Sequence, residues 1–265
     1  MFVLSLSVSS STLAQIKAEL TRGLPLVKSS HRVEALGRGF RFQIYAALLA
    51  ASQSATPPVV TVDGALFSAY LKEHGFEVEP KHLYRACARI AIQGVLDKEP
   101  RLHFHGIGFE RPHRNRDGSR KTPQEQYTEF LALREACLGP KAAEAFLRAL
   151  AFLARVPRTK TIRSGTSSYR LKHIAENYRC TYPEGAPLGP DYVPNGMLIA
   201  AALHIGFKHK LHIDELGYDT LNPTFNMSKV VVDDLDTEIR PRGGFARDRA
   251  RKQLMREART RVAPF

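Results

Sequence analysis

At the start of the chain apolar residues alternate with polar ones: Phe2, Leu4, Leu6 and Val8 fall on one side of a period-two pattern, with Val3 and serines on the other. That alternation predicts a strand. Thr12 and Gln15 have capping-box spacing and predict a helix through about Thr21. After a turn at Gly23 and Pro25, the stretch VKSSHRVEALGRGFRFQIYAALLAAS offers Ser29 and Ser30 as caps and Gly39 as a break, which predicts two helices. The first carries His31, Arg32 and Arg38, and the second buries Phe42, Tyr45, Ala46 and Leu49. Residues 12–51 are thus a candidate helical finger or helix-turn-helix; the plainer alternative is a set of amphipathic helices with a charged outer face.

Residues 56–62 (TPPVVTV) predict a short strand, Asp63 or Gly64 opens a helix ending at Gly75, and Pro80 sits in the first turn of another that runs to about Leu96. LHFHGIGF, 102–109, alternates again and reads as a strand with His103, His105, Ile107 and Phe109 on one face. A His-x-His pair suits metal ligation or acid–base work, but spacing indicates no third ligand, so neither metal nor cofactor is expected. Thr122, Pro123 and Glu125 form a capping box with proline at the first helical position, and helices follow to Leu138 and, past Gly139 and Pro140, to about Ala154. Ser167 or Ser168 caps a helix reaching Tyr178, and Asn195 caps the apolar GMLIAAALHIG helix that Gly206 ends. KHKLHI (208–213) and FNMSKVVV (225–232) read as strands, and the acidic DDLDTE follows. Strands interspersed with helix pairs indicate an α+β fold, taken as a single unit over 1–265.

With 265 residues the chain can bury a substantial core, and 43% hydrophobic with 25% charged residues is ordinary for a folded soluble protein. The charge changes the picture. With 39 Lys and Arg against 26 Asp and Glu, the formal net charge is +13, which favours a polyanion: nucleic acid through counterion release, or a membrane surface. No apolar run reaches the ~18 residues of a bilayer span. The first residues lack the positive region of a signal peptide. Cys87, Cys137 and Cys180 are too scattered for a disulfide framework or a zinc motif, so a reduced, cytoplasmic protein is expected.

The cations concentrate in three stretches. In 155–173, Arg155, Arg158, Lys160, Arg163, Arg170 and Lys172 stand with no Asp or Glu between them, among hydroxyls and Gly165 that suit a phosphate-binding loop. In 109–123, Arg111, Arg114, Arg116, Arg120 and Lys121 stand against Glu110 and Asp117. The tail 240–265 has nine basic residues against two acidic ones, among them Arg240, Arg242, Arg247 and Arg249, with Gly243 and Gly244 permitting close backbone approach to a phosphate. Lys28, Arg32 and Arg41 add to the candidate nucleic-acid contacts.

Two resemblances accompany these features. The opening MFVLSLSV then TLAQIKAEL, the arginine-rich helical insertion and the late RPRGGF resemble the type IV CRISPR repeat-processing endoribonucleases. The resemblance implies ferredoxin-like βαββαβ elements, here with a large helical insertion, and metal-independent cleavage of a repeat stem-loop RNA. A ribose 2′-hydroxyl attacks the adjacent phosphate, leaving a 2′,3′-cyclic phosphate, and the protein stays with the mature RNA, alongside other CRISPR effector subunits. Under that reading the candidate catalytic residues are Arg22 and Arg38, Arg242 beside the glycines, and His31 as base. Segments SSHRVEALGRGF, TKTIRSGTSSYRLKHIAE and YVPNGMLIAAALHIGF are also similar to uncharacterised plasmid-borne proteins. The alternative they support is a non-catalytic DNA-binding protein of a mobile element, whose helix pair at 29–51, or the helices flanking 178–195, would enter a groove. A non-cleaving ribonucleoprotein subunit is a third reading.

Overall fold

The computed structural model describes residues 1–109 and 118–262, with side chains through residue 257. Strand β1 (Ser5–Ser7) pairs antiparallel with β2 (Val59–Thr61), placing buried Leu6 opposite buried Val60. Helix α1 (Ser10–Gly23) begins before Thr12, because the Ser9 hydroxyl accepts from the Thr12 N–H. Neither Ser29 nor Ser30 caps α2 (Ser29–Gly39); Lys28 holds the cap position without a side-chain bond, and both serines lie inside the first turn. α3 spans Tyr45–Ser52, and α4 (Gly64–Glu73) is capped by Asp63 as expected. Leu13, Ile16, Leu20, Ala35, Leu36 and Leu48 all lie in the main core, so each of the helices within residues 12–51 contributes apolar side chains to it.

Helix α5 (Lys81–Lys98) leads to a correction. The expected strand at 102–109 is a tight hairpin of β3 (Leu102–His103) and β4 (Gly106–Ile107). The chain reverses at Phe104 and His105, where alternation had suggested a straight run, and Gly108 leaves β4 at φ 115°. His103 is buried, its Nε2 within 3.2 Å of the Gly108 carbonyl, whereas His105 is exposed, so the pair shares no ligating face.

The Thr122 capping box with Pro123 is present at the start of α6 (Pro123–Ala136). α7 (Pro140–Leu153) and α9 (Asn195–His204) form the centre of the molecule, both nearly all buried, with α8 (Ser168–Ala175) beside them. Gly196 sits against the hairpin: a Cβ there would lie 2.0 Å from the His103 carbonyl oxygen, so no other residue fits. Asn195 is the first helical residue, not the cap; its Nδ2 donates to the carbonyls of His105 and Leu221 and to Asn222 Oδ1.

Residues 225–232 need a second correction. β6 (Thr224–Phe225) pairs with β5 (His209–Lys210), and the chain then enters helix α10 (Lys229–Ile239), which Ser228 caps. Val232 and Leu235 turn inward at helical spacing, a period hidden by the valine run. α11 (Gly244–Val262) closes the described chain, so the arginine-rich tail is helical.

The fold is therefore mixed helix and sheet, dominated by helices. Each sheet among the described residues has two antiparallel strands, and a ferredoxin-like βαββαβ element is not shown. One continuous apolar cluster runs from Phe2 to Leu235 and takes in all three cysteines, which are free. Among the described residues no helix is long and apolar enough to cross a membrane.

Candidate nucleic-acid interface

The segment 155–167 is a loop between α7 and α8, and it is tied down along its length. The side chain of buried Asn226 accepts from the Lys208 N–H (2.6 Å) and donates to the Thr159 carbonyl (2.8 Å), stitching the loop to β5. Thr159 N–H donates to the Asn226 carbonyl, Ser228 N–H to Pro157, and Ser168 N–H to Pro223. The hydroxyl of fully buried Thr166 bridges the Arg163 and Phe225 carbonyls. Ser167, one of the two expected caps, accepts from the Arg170 N–H to start α8. Fixed at both ends, the loop presents Lys160 and Arg163 to solvent.

Acidic helix α10 joins this loop to the tail. Asp236, 1% exposed, receives Arg170 on one carboxylate oxygen and Arg240 on the other. Arg170 also donates to Asp233 at 2.8 Å, and its guanidinium stacks on the Phe245 ring of α11. Arg155 makes a two-pronged bond to Glu238, and Arg249 reaches Asp234. The bond from Arg155 holds the Glu238 carboxyl below its usual range. Burial raises Asp233, but bonds from Lys229 and Arg170 outweigh it, so its pKa is also lowered. Sequence reading put six cations here with no acid between them; the structure supplies the acids from a helix some sixty residues on. The cations of these stretches with no ion pair among the described residues include Arg158, Lys160, Arg163, Arg242, Arg247, Arg251 and Lys252, all exposed.

Arg158 lies over the Phe207 ring, close against Gly206. Lys172 is held by Glu176 and by the Tyr192 ring, so it is a structural cation and not a free one. Gly243 donates its N–H to the Arg240 carbonyl, and Gly244 opens α11.

The other expected contacts lie elsewhere. Arg32 donates to the Leu24 and Val27 carbonyls and serves the turn before α2. Arg41, at positive φ, pairs with Asp63, and Lys28 is exposed. Lys121 pairs with Glu129, and Arg120 is exposed. Arg111, Arg114 and Arg116 lie outside the described residues.

The four expected catalytic residues are not brought together by any bond among the described residues. Arg22 pairs with Glu19 on α1, Arg38 is exposed on α2, and Arg242 is exposed before α11. His31 packs in a ring cluster with Tyr70, His74 and Phe76, its Nδ1 buried.

A different pair of histidines adjoins the basic loop. A cleft of about 410 Å³ between β1, α1, α5 and α9 is walled by Leu6, Ile90, Val95 and Leu203, with Lys98, Glu99, His204 and His209 as its polar groups. Lys208, bonded to Asn226, directly precedes His209 in the chain, and Arg158 lies against Gly206, two residues after His204. His204 lies beside the Ser5 backbone and edge-on to the Phe146 ring. A neutral imidazole carries a lone pair on one nitrogen and can take up a proton there. His209 Nε2 lies 3.8 Å from Glu99 Oε2, an ion-pair distance that favours its protonated form. Burial nonetheless lowers the pKa of both histidines. The signal in the sequence was the spacing of His204, His209 and the KHK triplet, which alternation assigned to a strand face without its partners.

No family model, no curated protein and no solved structure matches the chain.

Proposed function

We propose that this protein binds the sugar–phosphate backbone of nucleic acid, RNA being favoured. What carries the reading is that two cationic segments remote in the chain, 155–173 and 240–249, converge on one acidic helix through Arg155, Arg170, Arg240 and Arg249, leaving the surplus arginines on the surface. The reading rests on that surface and asks nothing of a ferredoxin-like sheet. Resemblance to CRISPR repeat-processing endoribonucleases points to a repeat stem-loop as the RNA, and to work in the cytoplasm beside other effector subunits. Fluorescence anisotropy with an RNA hairpin and a DNA duplex over a salt series tests it. Preference for the duplex would favour a DNA-binding factor of a mobile element, and indifference to both would end the reading.

Cleavage is supported by the histidine cleft beside the loop, and less by His31, which stands apart from the tail arginines. In this scheme His204 takes the proton of a ribose 2′-hydroxyl, the resulting oxygen attacks the adjacent phosphorus, and the 5′-oxygen leaves with a proton from His209. Lys98 stabilises the charge on phosphorus. The products are a 2′,3′-cyclic phosphate and a free 5′-hydroxyl. A hairpin cut in EDTA, but left intact when the scissile sugar is 2′-deoxy, would support this step; binding without scission would leave a ribonucleoprotein subunit.

A further inference from the structure

A second cationic feature lies outside this surface. Where the last turns of α1 face the first half of α5, a cleft of about 300 Å³ is lined by Arg22, Arg85, Arg89 and His82, with Glu19 and Pro140 at its edges. Arg85 and Arg89 stand one turn apart on α5, and Arg22 closes on them from α1. Glu19 is shared, one oxygen taking Arg22 and the other Arg89 at 2.7 Å, while Glu144 takes Arg85. These bonds occupy few of the five N–H donors that each guanidinium carries.

Helix α7 adds to the field. Its first residue, Pro140, lines the cleft, so the positive end of the helix dipole lies at the cleft wall. Burial, then Arg85 and Lys81, lower the pKa of His82, leaving it neutral at pH 7 and able to donate one hydrogen bond.

We propose that this cleft binds a phosphomonoester dianion, gripped between Arg22, Arg85 and Arg89. Planar guanidinium forks arriving from two helices match the several oxygens of a tetrahedral dianion better than a single planar carboxylate. The volume of about 300 Å³ takes a phosphate and leaves room for the sugar attached to it, which suits a free nucleotide or the phosphorylated end of an oligonucleotide. Arg22, 68% exposed in its side chain, is free to turn from Glu19 to the ligand.

The site goes beyond the nucleic-acid reading and is tested apart from it. Inorganic phosphate is titrated into the full chain by calorimetry, followed by a nucleoside 5′-monophosphate and by 5′-phosphorylated and 5′-hydroxyl forms of one short oligonucleotide. Phosphate binding is expected, weakened about tenfold in R22A and strengthened severalfold in E19Q, where the competing carboxylate is gone and no cation is lost. Tighter binding of the mononucleotide identifies a free nucleotide as the natural source; a gain confined to the 5′-phosphorylated oligonucleotide identifies a strand end. Absence of binding at millimolar phosphate, or equal binding by wild type, R22A and E19Q, would overturn the proposal.

Discussion

The guanidinium of Arg170 lies 4.0 Å from the centroid of the Phe245 ring, so the helix that follows the basic loop is clamped to the arginine-rich tail. Cation–π contacts contribute ~0.5–2 kcal/mol. F245A is therefore expected to release the start of α11 while the core stays folded. Limited proteolysis should show faster cleavage near residue 245 with an unchanged melting temperature for the body, and equal protection in the variant would count against the clamp.

R170A is expected to be far more severe. It removes one of the two cations on Asp236, whose carboxylate is 1% exposed, and a buried charge robbed of a partner costs about 3–5 kcal/mol. Replacing the exposed Arg155–Glu238 pair with alanines should cost no more than ~1 kcal/mol. Urea unfolding of the two variants measures the contrast.

For binding, R163A and R247A are each expected to weaken nucleic acid modestly and reduce the slope of log K against log[salt] by about one, alike across sequences. E238Q should act the other way, since it frees Arg155. An unchanged salt slope in both arginine variants would place the partner on another surface.

Stability should fall on acidification in two steps. His82, His204 and His209 have lowered pKa values, so the unfolded chain takes up protons first and stability declines as pH drops below about 6.5. Asp233 and Glu238 are also lowered; their contribution is present above the ordinary carboxylate range and is lost as pH falls through it. Thermal melts between pH 8 and pH 3 should show both declines, and H204A with H209A should reduce the first, leaving the share of His82.

N226A is expected to loosen the basic loop. It strips the side-chain acceptor from the Lys208 N–H and the donor from the Thr159 carbonyl, at ~1–3 kcal/mol for an unsatisfied buried group. Hydrogen exchange at Lys208 reports the change directly; protection equal to wild type would refute it.

Much of the helical framework was legible in the sequence because it is written in local chemistry. Asp63, Thr122 with Glu125, Ser167 and Gly206 mark helix ends through bonds or backbone angles set within a few residues. The short strands were less legible: the reversal at Phe104 and His105 and the helix that Ser228 caps at Lys229 both interrupt an alternating pattern. For the interface, the basic stretches could be seen but not their acid partners, because Asp236 and Glu238 are brought to Arg170 and Arg155 only by tertiary packing. The same holds for Glu99 and His209, more than a hundred residues apart in the chain.

The two-sided grip on Asp236 makes the C-terminal stretch an integral part of the body. A chain cut after residue 239 would lack Arg240 and Phe245, leaving Asp236 with Arg170 alone and Arg170 without its ring. Shortened versions would therefore differ from the whole in their interior as well as their outline, and a loss of affinity on trimming would report both together. Charge removal at Arg247 or Arg251, which leaves that interior alone, separates them.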